Sequence, residues 1–270
     1  MLDAIERARV RRCLPLGEDP APHSDSLSGR ETAEAAACVA ECADQLSGPL
    51  WSTQEQPARP SNASPTLDTE RQTMLEDGQK IVFLGDSITQ ATDGYVGMVE
   101  HMLAALKPDL RIACINAGVG GNKVTDLIER VAADVVVHDP DWVTVSVGIN
   151  DVWHGANGTP YEVFEQKYDE LVRALADQTA ARLVLFTTTV IGEDLESEAN
   201  RQLVRYNDFI RRTASKRKAM LVPMDEVFHE AIRAWQTRST ALRFTRDGVH
   251  MTPAGNYLMA FALLRAWQVL

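Results

Sequence analysis

From Lys80 onward the chain alternates short apolar runs with longer amphipathic segments, and few folds accommodate that alternation. The runs are KIVFL (80–84), RIACIN (111–116), WVTVSV (142–147), RLVLFT (182–187) and AMLVPM (219–224). Each is short, mostly apolar and rich in β-branched residues, as in strands buried on both faces. Helical spacing fills the intervals, at 94–107, 123–136, 161–178, 197–217, 225–236 and 253–268. The last of these has Pro253 in its first turn and Thr252 as its cap. The pattern predicts an α/β fold with a five-stranded parallel sheet. Right-handed crossovers then place helices on both faces, giving a three-layer α/β/α sandwich.

The chain divides near residue 74. Residues 1–73 contain no lysine, carry few large apolar groups, and are rich in Ala, Glu, Ser and Pro. PARPSNASPT (57–66) reads as a linker, and only 2–12 and 31–46 have helix-forming composition. We expect 1–73 to be a low-complexity, disordered or loosely docked extension. Residues 74–270 form the compact domain, and Met74 would be a natural start for it.

The 270 residues carry a formal net charge of −11. Nucleic acid and anionic membrane surfaces need basic patches, so neither is an expected partner. No apolar run reaches transmembrane length, and charges interrupt every apolar stretch of the N-terminus, so a cytoplasmic location is expected. The four cysteines, Cys13, Cys38, Cys42 and Cys114, lack further ligands at metal-site spacing and read as reduced thiols, with Cys114 in the core. No GxGxxG or P-loop pattern occurs. No metal and no cofactor are expected.

In a doubly wound sheet the ligand site lies beyond the carboxyl ends of the strands. Gly85-Asp86-Ser87-Ile88-Thr89 follows the first run, and Asn116-Ala117-Gly118-Val119-Gly120-Gly121-Asn122 follows the second. Gly148-Ile149-Asn150-Asp151 follows the third, and Asp247-Gly248-Val249-His250 precedes the last helix. Singly, each has a plain structural explanation: a helix cap, a tight turn, turn chemistry, a surface pair or two metal ligands. Four of them converging on one sheet edge is harder to explain that way.

Together these blocks resemble those of the SGNH hydrolase superfamily, also called GDSL-type esterases, in its compact bacterial esterase and acetylesterase form. The resemblance spans about 79–268, with GDSIT in place of GDSL. It implies a flavodoxin-like SGNH fold and a catalytic triad of Ser87, Asp247 and His250. It also implies an oxyanion hole made by the Ser87 N–H, a glycine N–H and the Asn150 amide. Register favours Gly121 for the glycine, with Gly120 adjacent. A serine hydroxyl needs a base to become a nucleophile, and a neutral imidazole held by a carboxylate supplies one. Asp86, Trp153 and His154 are candidates for the substrate pocket; Asn122 and Lys123 lie beside the glycine loop.

The expected activity is hydrolysis of short-chain acyl esters through an acyl-serine, with O-acetyl groups on carbohydrates as the favoured case. The expected partner is therefore a small-molecule or carbohydrate ester. Thioesterase or arylesterase chemistry would use the same triad. A non-catalytic domain binding acylated carbohydrate would have a broken triad. A flavin or nucleotide binder would need a phosphate cradle in the first loop, where Asp86 would repel phosphate.

Overall fold

The computed structural model describes residues 73–237 and 243–270. The segments 2–12, 31–46 and 57–66, to which the sequence assigns helices and a linker, lie outside the described residues, as do Cys13, Cys38 and Cys42.

Five strands form the sheet: β1 (Lys80–Gly85), β2 (Ala113–Gly118), β3 (Trp142–Ser146), β4 (Arg182–Phe186) and β5 (Met220–Val222). All neighbours pair in parallel, in the order β2-β1-β3-β4-β5. The chain order reverses direction at β1, so β1 and β3 flank the switch point where such sheets bind ligands. Gly85 ends β1 in register with Gly118 of β2 and Ser146 of β3. Three strand ends therefore lie side by side at one rim.

The helices are α1 (Ser87–Gln90), α2 (Tyr95–Leu106), α3 (Val124–Asp134), α4 (Ile149–Trp153), α5 (Tyr161–Gln178), α6 (Glu198–Arg217), α7 (Met224–Gln236) and α8 (Pro253–Ala266). Single 3₁₀ turns occupy Val136–His138 and Gly155–Asn157. Helix α8 packs on α2 and α7, while α5 packs on α3 and α6, which gives the two outer layers. Local chemistry sets the boundaries. Thr252 caps α8, its Oγ1 accepting from the Gly255 N–H with Pro253 just inside, as the sequence predicts. Ser197 caps α6, and Lys218 ends it in the left-handed region.

Ile81, Val82, Phe83 and Leu84 of β1 are fully buried, because helices cover both faces of the central strand. Phe83 meets Tyr95 and Trp267 edge-on, and Trp267 in turn meets Trp142 at 5.8 Å. The expectation of burial on both faces fails for β2, which is the edge strand and only partly covered. Cys114 on β2 is accordingly a half-buried free thiol rather than a core residue. Strand β2 also starts two residues later than expected. Arg111 donates its backbone N–H and its guanidinium to Asp77 instead of joining the ladder.

The start of the described chain returns to the end of α8. The Met74 N–H and the Thr73 hydroxyl both donate to the Trp267 carbonyl. Among the described residues no helix is long and apolar enough to cross a membrane.

Candidate active site

Ser87 is the first residue of α1, directly beyond β1. Asp86 caps that helix, its Oδ1 accepting the Ile88 N–H at 2.9 Å. As a first-turn residue, Ser87 has no acceptor for its own N–H within the helix. Asp86 is 1% exposed and lines a small cavity beneath the turn with Ile88, Ser146, Thr188 and Thr189. Burial pushes its carboxyl up to about 7. The negative charge of Asp151 adds to the shift, while the Ile88 N–H and His250 oppose it.

His250 reaches the serine from a separate loop. Its Nε2 lies 2.9 Å from Ser87 Oγ, and its Nδ1 lies 2.7 Å from Asp247 Oδ2. Asp247 Oδ1 also accepts the N–H groups of Val249 (3.0 Å) and His250 (2.8 Å). Partial burial alone would raise the Asp247 carboxyl; these hydrogen bonds, led by the His250 ring, outweigh it and hold the group at about 2. An ionised Asp247 can only accept, so Nδ1 carries the proton. Nε2 of the neutral ring is then an acceptor aimed at the serine hydroxyl. The His250 and Asp247 side chains are 50% and 55% exposed, so the mouth of the site is open.

The loop carrying this pair is fixed from β4's side of the sheet. Glu193 Oε1 accepts the N–H groups of Phe244 (2.7 Å) and Thr245 (3.0 Å), and the Gly192 N–H donates to the Gly248 carbonyl at 2.6 Å. Thr245 also bridges Met251 in antiparallel fashion, closing the loop at its base.

The glycine loop after β2 lies against α1. A Cβ on Gly118 would sit 2.2 Å from the Gln90 nitrogen, so only glycine permits that approach. Asn116 joins the two, its Nδ2 donating to the Thr89 carbonyl and its Oδ1 accepting the Gly118 N–H. The Gly120 N–H is engaged, donating to Gln90 Oε1 at 2.9 Å. Gly121 adopts φ +75, and among the described residues its N–H has no hydrogen-bond acceptor. Asn150 is buried in α4, and its Nδ2 donates one hydrogen to the Asn122 carbonyl at 3.0 Å. The amide has a second N–H to offer.

The remaining candidates separate by position. Trp153 ends α4 and is 48% exposed; His154 follows it, half-buried. Lys123 Nζ donates to the Asn157 carbonyl, joining the glycine loop to the 3₁₀ turn beyond Trp153. Asp151 is buried, and its carboxylate accepts the Val124 N–H at the start of α3. Burial raises its carboxyl to about 6. Sequence reasoning missed the residues that hold these loops: Gln90, Asn116, Arg130 and Glu193. Gln90, Arg130 and Glu193 are commonplace on helices and exposed loops, and Asn116 lay in plain view in the second block without a signal of its own. Their role comes from partners far away in sequence.

The family model described as GDSL-like lipase/acylhydrolase matches residues 83–258, a span that holds Ser87, Gly121, Asn150, Asp247 and His250. An acetylxylan esterase of Geobacillus stearothermophilus is 30% identical, over 71% of this chain and 94% of that enzyme. One crystal structure of that enzyme superposes with a TM-score of 0.64 at 28% identity, covering 70% of this chain and 94% of the other. An alpha/beta hydrolase enzyme from the metagenome of Lake Arreo, Spain, superposes at 0.67 with 28% identity, over 74% and 99%. Catalytic mutants of the Geobacillus enzyme replace a serine, an aspartate or a histidine by alanine, and that aspartate precedes that histidine by three residues. Given this match along the domain and the fold it shares, the chain belongs to the GDSL-like lipase/acylhydrolase family and is a hydrolase of carboxylic esters.

Proposed function

We propose that this esterase removes short acyl groups, acetyl foremost, from the hydroxyls of carbohydrates, with Ser87, His250 and Asp247 as its catalytic residues. The observation that carries the catalytic assignment is the continuous hydrogen-bonded relay from Ser87 Oγ through the His250 ring to Asp247, at 2.9 and 2.7 Å. His250 takes the hydroxyl proton as Ser87 attacks the ester carbonyl, and Asp247 stabilises the imidazolium that forms. The developing oxyanion is held by the Ser87 N–H, the Gly121 N–H and the second N–H of Asn150. The uncommitted Gly121 N–H supports this choice over Gly120, whose N–H is already donated to Gln90. His250 then returns the proton to the departing sugar alkoxide. Water repeats the cycle on the acyl-serine and regenerates the hydroxyl.

Support for an acetylated sugar comes from the acetylxylan esterase relative and from the open mouth of the site, which leaves room for a bulky alcohol. Trp153, exposed at the end of α4, and its neighbour His154 are the side chains we assign to the sugar. Hydrolysis of p-nitrophenyl acetate, butyrate and octanoate, by wild type and Ser87→Ala, tests both parts. Activity that falls with chain length and drops by at least about 10³-fold in the variant is expected. Acetylated xylo-oligosaccharides are then the next substrates. Activity that survives in Ser87→Ala would overturn the mechanism, and a preference for octanoate would overturn the short-acyl reading.

A further inference from the structure

One guanidinium joins the segments that carry all three proposed oxyanion donors. Arg130 lies on α3 with its side chain 15% exposed. Its Nη2 donates to the Gly85 carbonyl at 2.7 Å, two residues before Ser87. Nη1 donates to the Ala117 carbonyl at 2.8 Å, four residues before Gly121, and to Asp134 Oδ2. Nε donates to Asn122 Oδ1 at 2.8 Å. Asn122 directly follows Gly121, and its own carbonyl receives the Asn150 amide. The Gly85 carbonyl also accepts the Val119 N–H at 3.1 Å, which ties the nucleophile turn to the glycine loop a second time.

The geometry suits arginine and no other residue. Four of five donors in a rigid planar fork are used, on acceptors from two strand ends, one loop side chain and one helix. Asp134, one helical turn along α3, holds the fork from behind. A lysine would offer three donors from a single nitrogen and could not span these acceptors. No atom of Arg130 need touch the substrate for the arrangement to matter. An oxyanion hole works only while its donors stay aimed at one point, and a displacement of about 1 Å can cost about 10²-fold in rate.

We propose that Arg130 is the positioning residue of the oxyanion hole, locking the Ser87 turn, the Gly121 loop and, through Asn122, the Asn150 amide into one frame. This rests on the esterase reading above, and wild-type hydrolysis of p-nitrophenyl acetate tests that reading separately. Arg130→Met keeps the aliphatic stem and removes every donor; Arg130→Lys keeps the charge and loses the fork. Steady-state hydrolysis, inhibition by phenylboronic acid and thermal melting are measured on the full chain. Boronic acids form a tetrahedral adduct with a catalytic serine, so their affinity reports on the oxyanion donors. In Arg130→Met, kcat is expected to fall about 10- to 100-fold, with KM within about threefold. Boronate affinity should weaken in parallel with kcat/KM. Arg130→Lys should lose activity nearly as far while melting close to wild type. A folded Met or Lys variant with wild-type kcat and boronate affinity would overturn the proposal. So would failure of both variants to fold, which would make Arg130 a residue of the fold rather than of the site.

Discussion

Asp86 and Ser87 are adjacent in sequence yet face opposite environments. Ser87 looks out on the half-exposed His250, while Asp86 is shut in beneath it and spends one oxygen on the Ile88 N–H. That burial makes Asp86 a liability to the fold at neutral pH. An unfolded aspartate titrates near about 3.9, whereas in the fold this carboxyl is pushed up to about 7. Between those values the folded chain holds a proton that the unfolded chain has lost, so stability falls as pH rises from about 4 to about 7. Asp86→Asn keeps the Oδ1 acceptor and removes the titration. It should leave stability near wild type at about pH 4, at the foot of that window. At pH 8 it should raise stability by something on the order of 1–4 kcal/mol. Urea denaturation at the two pH values checks this, and an unchanged pH slope would disprove it. Asp151, raised to about 6, contributes a residual slope of the same sign. Asp247, held at about 2, loses its contribution only in acid, outside this window. The sequence already marked Ser87, Asp247 and His250, because each lies at a strand end or just before a capped helix, where a doubly wound sheet puts its ligands. It favoured Gly121 over the adjacent Gly120 by register alone and gave no sign that the Gly120 N–H is engaged by Gln90, thirty residues away.

At the scale of elements, the strands and long helices were readable because burial on two faces writes continuous apolar runs and burial on one writes a helical period. Helices α1 and α4 were not, since one turn is too short to show a period; their residues read as turns. The loop connecting Arg243 to Met251 shows the other limit. Its anchor, Glu193, sits on the β4–α6 connection and accepts two N–H groups from residues that are themselves nearly inaccessible, Phe244 and Thr245. Glu193→Ala would leave both donors without their acceptor, each worth about 1–3 kcal/mol when buried. A loss of roughly 2–4 kcal/mol in urea unfolding is expected, with reduced kcat because the Asp247–His250 pair rides on the same loop. Unchanged stability would show that other acceptors replace the carboxylate.

For the molecule as a whole, the described residues, 73–237 and 243–270, hold a five-stranded sheet, its core and every proposed catalytic group. We therefore expect a chain starting at Thr73 to fold and to hydrolyse p-nitrophenyl acetate with a kcat/KM within about threefold of the full chain. Circular dichroism and steady-state kinetics check this, and a truncated chain that fails to fold would assign residues 1–72 a part in the domain. Helix α8 leaves the catalytic rim at Pro253 and runs back to Trp267, which packs on Trp142 at the beginning of β3. There the Trp267 carbonyl receives Thr73 and Met74. The domain is thus nearly a closed ring, its seam on the rim opposite the serine. Fusions, tethers or a splice made at that seam load the far pole of the molecule and leave the substrate's approach free.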